Sequence, residues 1–435
     1  MLRRRPHRPP LAIRALAVVG CAAVAWPFLH GVPGLGLPVG WFAQYRIDLD
    51  VYRLGADAWL TGQPLYGPAF PVTGYGEALP FVYPPIAAVM FVPFSWLPMP
   101  AAATLLTVVS AAVLLAVLAS VVRALGRRAG GWTVAAALPL VLLTDPVRLV
   151  LLLGQVNLLL MGLVWAGLLG RGRWRGFGVG VAAAIKLTPL VFVVWFLLVG
   201  DRRAAARAAG TFVALTGLGA LLAPADSPDY WGGRLVGLGA GAALDLAYAG
   251  NQSLRGAVER WGLPAAATTG CWLVLAGTVG ILALLLARRC VALGESLLAA
   301  SVLSIAGLLV SPISWSNHWV WVLPALPVLV DTARRRGSGA LRGALAAGAP
   351  SLVVGTHWLL PHGDGRERDW SPAEQLIGAS LTWWGVVVLV VVLLVIAQGP
   401  VAPRPHPSAA PTRFPSGPSR ASDDSVGPPR RRATH

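Results

Sequence analysis

The chain alternates between long apolar stretches and short polar connections rich in arginine. Since a helix needs about 20 apolar residues to cross a bilayer, the pattern predicts an all-α polytopic membrane protein of about 12 spans. Residues 81–98 are also apolar, but Pro84, Pro85 and Pro93 interrupt them, and we predict a re-entrant or interfacial segment there. The predicted spans cover residues 11–30, 101–122, 131–144, 149–169, 176–186, 189–199, 209–223, 265–287, 295–311, 318–331, 343–360 and 376–397.

Composition supports this interpretation. Of the 435 residues, 56% are hydrophobic and 12% are charged, and the mean hydropathy is +0.67. A soluble protein is typically about 25% charged. The chain therefore has too little polar surface for a cytosolic enzyme, a secreted domain or a disordered chain. The three cysteines lie in or beside apolar runs and have neither metal-ligand nor disulfide-framework spacing.

The distribution of charge predicts the topology. The net charge of +17 comes mainly from arginine runs between apolar segments, which is typical of cytoplasmic loops and not of a nucleic-acid-binding surface. Most carboxylates then fall on the extracytoplasmic side. We divide the chain into a basic cytoplasmic N-terminus, 1–10, a membrane domain, 11–398, and a disordered cytoplasmic tail rich in Pro, Ser and Arg, 399–435.

Two acids open the first extracytoplasmic loop, at Asp48 and Asp50. A partly buried carboxylate at the mouth of a membrane bundle can serve as a general base. The alternative is that both acids cap the helix that begins near Val51. Two residues apart, they cannot share one helical face, so capping by one leaves the other free.

Lys186 is the single lysine beside 34 arginines. A chain that uses arginine wherever a positive charge suffices has a specific need for this ammonium group. An ionisable residue at membrane depth is by default a functional candidate, and phosphate binding is the favoured role. The alternative is that Lys186 extends to the outer headgroups.

Further polar residues fall at the same outer level. His318 is either a structural histidine or part of the site, and the neighbouring tryptophans are either interfacial anchors or substrate contacts. The remaining candidates for substrate binding are Arg148, Gln155, Asn157, Asn251, Gln252, Arg255, Trp315 and Asn317. No dinucleotide, Walker, HExxH or CxxC motif occurs, and the DxD of Asp48 and Asp50 is too short to indicate a metal.

Six segments in order carry a family resemblance. They are DLDVYRLGADAWLTGQPLY (48–66), FVYPPIAAVMFVPF (81–94), GQVNLLL (154–160), AIKLTP (184–189), NQSLRG (251–256) and SPISWSNHWVW (311–321). In them the chain resembles the polyprenyl-phosphate-mannose-dependent α-mannosyltransferases of glycosyltransferase family 87, which have the GT-C membrane architecture. Only the tails lie outside the resemblance.

The resemblance implies an inverting transfer of mannose from a polyprenyl-phosphate donor to a glycolipid or glycan hydroxyl, at the extracytoplasmic face of the plasma membrane. It implies Asp48 as base, His318 as a second catalytic residue, and Asp50, Tyr52 and Tyr83 in the substrate site. Many relatives have a second histidine where this chain has Asn317. No metal or other cofactor is expected, and no nucleic-acid partner. The composition fits a high-GC actinobacterium.

Two alternatives remain open at this point. Another GT-C transferase would use a different polyprenyl-phosphate sugar, such as arabinofuranose, since the identity of the sugar is not readable from motif spacing. A transporter or lipid flippase would also have about 12 spans, broken helices and a charge at membrane depth. Against a transporter, the two halves of the chain show no repeat, and the acids cluster outside instead of along a translocation path.

Overall fold

A computed structural model describes residues 45–74, 76, 78–127, 131–234 and 245–399. The predicted cytoplasmic N-terminus, the span at 11–30 and all but the first residue of the predicted tail lie outside these residues. The described part of the chain is all-helical, as predicted, with a single isolated β-bridge between Asn251 and Trp315.

Eighteen α-helices follow one another in the described residues. They are α1 (Ile47–Thr61), α2 (Pro85–Ser95), α3 (Met99–Ala124), α4 (Gly131–Leu142), α5 (Asp145–Leu153), α6 (Asn157–Leu169), α7 (Phe177–Ile185), α8 (Val191–Leu198), α9 (Arg202–Leu222), α10 (Asp226–Pro228), α11 (Leu254–Glu259), α12 (Ala265–Ala292), α13 (Ser296–Val310), α14 (Ala325–Arg335), α15 (Gly339–Ala347), α16 (Ala349–Val353), α17 (Pro372–Gly378) and α18 (Ser380–Ala397). Short 3₁₀ turns at Gly172–Trp174, Thr188–Leu190, Ser316–Val322, Thr356–Leu359 and Arg366–Asp369, and a π-turn at Asp229–Arg234, connect some of them.

Four of these helices, α3, α9, α12 and α18, are long and apolar enough to cross a membrane. The 28 residues of α12 span about 42 Å at 1.5 Å per residue, more than the hydrocarbon thickness of about 30 Å. Large apolar side chains on it, such as Val274, which is 69% exposed, face away from the protein. Such a surface is stable against lipid and not against water, so the chain is a membrane protein.

The predicted span at 149–169 is instead two helices, α5 and α6, bent by 115° at a short break. Gly154 makes the bend: its φ is +75°, and a Cβ there would lie 2.8 Å from the Cβ atoms of Arg46 and Leu49. Only glycine adopts this conformation at so close an approach without strain. Residues 154–157 at the break are buried in the protein. The backbone N–H and C=O groups that the bend leaves without helical partners therefore do not face lipid.

The core is organised around α13, which is buried over nearly its whole length. Helices α8, α12, α14 and α18 pack against it, while α1 packs on α2 and α6 packs on α3 and α7. The turn at Ser316–Val322 follows α13 and packs on α5. The polar end of α1, the α5–α6 break, the end of α7 and this turn therefore meet in one region.

Candidate active site

Asp48 lies in the first turn of α1, which is not one of the helices long and apolar enough to span. The helix begins at Ile47 after Arg46, and neither acid makes a side-chain cap, so the capping alternative is wrong. The side-chain amide of Gln155, in the α5–α6 break, donates to Asp48 Oδ2 at 2.7 Å. Burial raises the pKa of Asp48 to about 6, against the opposing effects of this hydrogen bond and of the Lys186 charge.

Asp50 points elsewhere. Its carboxylate accepts hydrogen bonds from the Tyr45 hydroxyl and, at 2.9 Å, from the Gly74 backbone N–H. The two acids therefore diverge, as their spacing predicts. They do not form a joint metal site, and the described residues contain no cluster of three or more His, Cys, Asp or Glu side chains placed to hold a metal ion.

Two tyrosines determine which way the Gln155 amide faces. The Tyr52 hydroxyl donates to Gln155 Oε1 at 2.9 Å and lies 2.9 Å from the Tyr83 hydroxyl. With Oε1 occupied as acceptor, the amide N–H₂ of Gln155 is directed at Asp48. Tyr52 and Tyr83 are buried, and their hydrogen bonds to Gln155 Oε1 place them behind Gln155 as a positioning layer.

Lys186 follows the last residue of α7 with extended backbone, at φ −150° and ψ 124°. Its Nζ donates to Asn157 Oδ1 at 3.1 Å and lies 2.9 Å from His318 Nε2. An ammonium group can only donate, so Nε2 of His318 is an acceptor and its proton is on Nδ1. These contacts lie inside the protein and do not support the alternative that Lys186 reaches for the headgroups.

The segment that carries His318 is held by a second polar layer. The Ser314 backbone N–H donates to Asn251 Oδ1 at 3.1 Å, and the Gln252 N–H donates to the Ser314 carbonyl at 2.8 Å. The amide N–H₂ of Gln252 donates to the Ala249 and Gly378 carbonyls. Asn251 and Gln252 are fully buried and engaged with backbone groups, so they support the turn; a direct contact with substrate stays a prediction.

The remaining candidates lie around this centre. Arg148 is 3.6 Å from Asp145, and Arg255 pairs with Glu259 at 3.1 Å and lies over the Trp272 ring. No contact joins either arginine to Lys186 among the described residues. Trp315 packs against Tyr248, and Asn317 is buried one residue before His318.

A small pocket with a volume of about 30 Å³ opens beside Lys186 and His318. Its apolar walls come from α8, α13 and the turn after it, and include Phe192, Leu308 and Trp321. None of these three wall residues is among the candidates predicted from the sequence. Phe81, in the apolar stretch before α2, packs against Gly55 in the core. Phe192 and Trp321 could have been selected because they lie close in sequence to Lys186 and His318.

Asp145 is a further buried residue that sequence reasoning did not select. Its Oδ1 accepts a hydrogen bond from Trp358 Nε1 at 3.1 Å, and His357 Nε2 lies 3.9 Å from Oδ2. Asp145 begins α5, which packs on the turn of His318. It therefore connects the loop at 355–358 with the elements that carry Gln155 and His318.

Taken together, the Asp48 carboxylate and the Lys186 ammonium group interact electrostatically, and Lys186 and the neutral His318 imidazole line an apolar pocket. Such a centre can accept a proton from a hydroxyl at Asp48 and can stabilise an anion at Lys186. The apolar walls provide for an amphiphilic ligand.

Comparison with known proteins agrees with this chemistry. Residues 81–312 match the family model of glycosyltransferase family 87. The chain is 37% identical over 407 residues (87% of this chain and 88% of the relative) to a polyprenol-phosphate-mannose-dependent alpha-(1-2)-phosphatidylinositol mannoside mannosyltransferase of Mycolicibacterium smegmatis. The protein of the same name in Mycobacterium tuberculosis H37Rv is 38% identical over 409 residues, 88% of this chain and 90% of the relative.

A third relative, from Mycobacterium tuberculosis CDC 1551, is described as a polyprenol-phosphate-mannose-dependent alpha-(1-2)-phosphatidylinositol pentamannoside mannosyltransferase. It is 34% identical over 403 residues, 90% of this chain and 88% of the relative. No solved structure matches the chain. The extent of these matches excludes the transporter alternative, and the chain belongs to glycosyltransferase family 87 as a membrane glycosyltransferase.

Proposed function

We propose that the protein transfers mannose from a polyprenol-phosphate-mannose donor to a hydroxyl of a phosphatidylinositol mannoside acceptor, with inversion and without a metal ion. The observation that carries this proposal is the cluster of Asp48, Lys186 and His318, joined through Gln155 and Asn157 beside an apolar pocket. The donor and acceptor are those in the names of the mycobacterial relatives, and they favour mannose over arabinofuranose.

The proposed reaction is a single displacement. As the acceptor oxygen bonds to the anomeric carbon, its proton passes to Asp48, and the bond from that carbon to the phosphate oxygen breaks. The electron pair leaves with the polyprenyl phosphate, whose added negative charge lies beside Lys186. A retaining mechanism through a covalent intermediate would need a second carboxylate close to Asp48. The nearest acid in sequence, Asp50, points to Gly74 instead, and this favours inversion.

The polarity of the proposed site also matches that of the donor. A polyprenyl-phosphate sugar has a polar end and a long apolar chain. Lys186 and His318 lie at the polar end of the pocket, and Phe192, Leu308 and Trp321 line its apolar part. His318, with Nε2 toward the ammonium group, holds Lys186 in place and is proposed to contact the sugar phosphate.

A reconstitution assay tests this function. The purified protein in vesicles receives radiolabelled polyprenol-phosphate-mannose together with a phosphatidylinositol mannoside, and the labelled glycolipid product is separated and counted. Turnover with the mannose donor, and none with polyprenol-phosphate-arabinofuranose, is the expected result. Transfer of arabinofuranose alone would replace the proposed donor, and movement of intact lipid without transfer would reject the proposal.

We further propose that the cluster faces the extracytoplasmic side of the plasma membrane in a bundle of about 12 spans. The four spanning helices, the bent pair, the shorter apolar helices and the stretch at 11–30 would all contribute to this bundle. Arg123 ends α3 and Arg289 ends α12, and such basic ends favour the cytoplasm. Asp48 lies in the loop that this arrangement places outside.

Sidedness is testable at Thr61, which is exposed at the end of α1. In a background without the three native cysteines, Thr61→Cys is expected to react with a membrane-impermeant maleimide in intact cells. Ala340→Cys, exposed beyond the arginine run at 334–336, is the matched cytoplasmic control and is expected to react only after lysis. Protection of Thr61→Cys with labelling of Ala340→Cys would reverse the topology.

A further inference from the structure

A second, open groove with a volume of about 530 Å³ lies apart from the catalytic pocket. Its walls include Arg260, Trp261, Arg368, Trp370, Leu376 and Trp383, and we call it the Trp–Arg groove. None of these residues belongs to the cluster around Asp48.

The groove lies where two spanning helices begin. Trp261 precedes Pro264, the residue before α12, and Trp383 is in the first turn of α18. Helices α12 and α18 pack against each other. Because residues from the beginnings of both helices line it, the groove is at one membrane interface, where the headgroups of lipids lie.

The walls combine aromatic faces with polar groups that have no protein partner. Trp261 is 47% exposed. Arg260 is fully buried, and among the described residues its Nε and Nη2 have no hydrogen-bond partner, nor has Nε1 of Trp383. Interfacial tryptophans alone are ordinary membrane anchors. Buried N–H donors without partners are costly, so a ligand that supplies oxygen atoms fits this wall better than lipid tails do.

The charges of the groove favour hydroxyl groups over an anion. Arg368 makes a bidentate pair with Asp245, at 2.8 and 3.1 Å, which neutralises it. Arg260 interacts with the carboxylate of Glu367, and the Gln375 amide bonds to the carbonyls of both residues. Glu367 itself does not line the groove, and its negative charge offsets that of Arg260. The side chains of Arg260, a donor, and Gln375, which carries an amide oxygen, both line the groove, and a hydroxyl can donate as well as accept.

The groove shares a wall with the active site. Arg260 Nη1 donates to the Asn251 carbonyl at 3.1 Å, and Asn251 pairs with the segment that leads to His318. Gln252 bonds to the Gly378 carbonyl, at the end of α17 beside the groove. A ligand in the groove is therefore separated from the turn of His318 by one layer of residues.

We propose that the Trp–Arg groove binds the polyhydroxylated headgroup of a membrane glycolipid, as the non-reacting part of the acceptor. The sugar or inositol rings pack on the tryptophan faces, their hydroxyls meet Arg260 and Gln375, and the acyl chains lie along α12 and α18. The identification of this glycolipid as the acceptor rests on the proposed function. The inference that the groove binds a glycolipid headgroup does not depend on that function.

Binding of a radiolabelled phosphatidylinositol mannoside to the full-length protein in detergent micelles tests the groove directly. Trp261→Ala is expected to raise Kd by about tenfold. Trp174→Ala removes a tryptophan that is 60% exposed and does not line the groove, and it serves as the matched control, with a change in Kd below about twofold. Equal Kd values in the wild type and Trp261→Ala would overturn the proposal.

Two further measurements test whether the groove binds an anion instead of hydroxyl groups, and whether the bound glycolipid is the acceptor. If inorganic phosphate displaces the glycolipid, and phosphatidylinositol without sugars binds equally well, the groove is an anion site and the proposal is wrong. In transfer assays, Trp261→Ala is expected to raise the KM for the glycolipid acceptor more than the KM for octyl α-mannoside. The ratio of the first KM to the second should increase by about tenfold. A wild type that binds glycolipid through Trp261 but transfers no sugar would reject the proposed function and keep this inference.

Discussion

Replacing Asp48 with asparagine is expected to lower kcat for mannose transfer by about 10²- to 10⁴-fold, the usual contribution of a general base. The substitution keeps the size of the side chain and a hydrogen-bonding partner for Gln155, but it cannot accept the proton of the acceptor hydroxyl. The donor KM should change little. The measurement is steady-state transfer with purified protein and labelled donor.

Asp57→Asn is the matched control, because Asp57 lies on the same helix and is exposed. It should retain wild-type kcat, and both variants should unfold at the same temperature as the wild type. Full activity in Asp48→Asn would remove Asp48 as base and make Asp50 the next residue to test.

The pH profile of the same enzymes provides a second check. Burial raises the pKa of Asp48 to about 6. The base acts only when deprotonated, so kcat/KM of the wild type should fall about tenfold per pH unit below this pKa. The residual activity of Asp48→Asn should lack this acid limb. The same limb in both enzymes would assign it to another group.

Replacing Lys186 with methionine is expected to lower kcat/KM by about 10²- to 10³-fold, as for other lost stabilisers of a developing anion. Its ammonium group lines the pocket between Asn157 and His318 and has no carboxylate in direct contact among the described residues. The affinity for polyprenyl phosphate itself should fall too, which equilibrium binding measures without turnover. Wild-type affinity in this variant would return Lys186 to a structural role.

Lys186→Gln separates the charge from the hydrogen bonds. Its amide can still donate to Asn157 or His318, whereas methionine leaves both acceptors buried without a donor, at a cost of about 1–3 kcal/mol in stability. A loss of activity that is similar in both variants, with a lower unfolding temperature in Lys186→Met alone, would identify the charge as the catalytic feature.

The polar residues of the site could be predicted from the sequence more completely than the helices that carry them. Asp48, Gln155, Lys186 and His318 are polar residues at membrane depth or at its edge, where polar groups need a reason, and the structure brings these four together. Hydropathy could not predict the bend at Gly154, because it depends on the close approach of Arg46 and Leu49 from another helix.

The supporting residues were also harder to predict. Asn251 and Gln252 look in sequence like ligands for a sugar, since amides serve both purposes. Their engagement with the backbone at 314 and 378 depends on tertiary contacts that no local pattern encodes. The apolar pocket walls are similarly indistinct, because Phe192 and Trp321 are two among many apolar residues in spans.

The bend between α5 and α6 has an electrostatic consequence. A helix carries about half a positive elementary charge at its N-terminus, where the first N–H groups lack partners within the helix. The 13-residue helix α6 begins at Asn157, the residue that Lys186 contacts, so this end of its macrodipole lies beside the ammonium group. A straight span at 149–169 would have cancelled these partial charges within its own hydrogen bonds. The break leaves the positive end of α6 beside Lys186, where in the proposed reaction the leaving phosphate gains its charge.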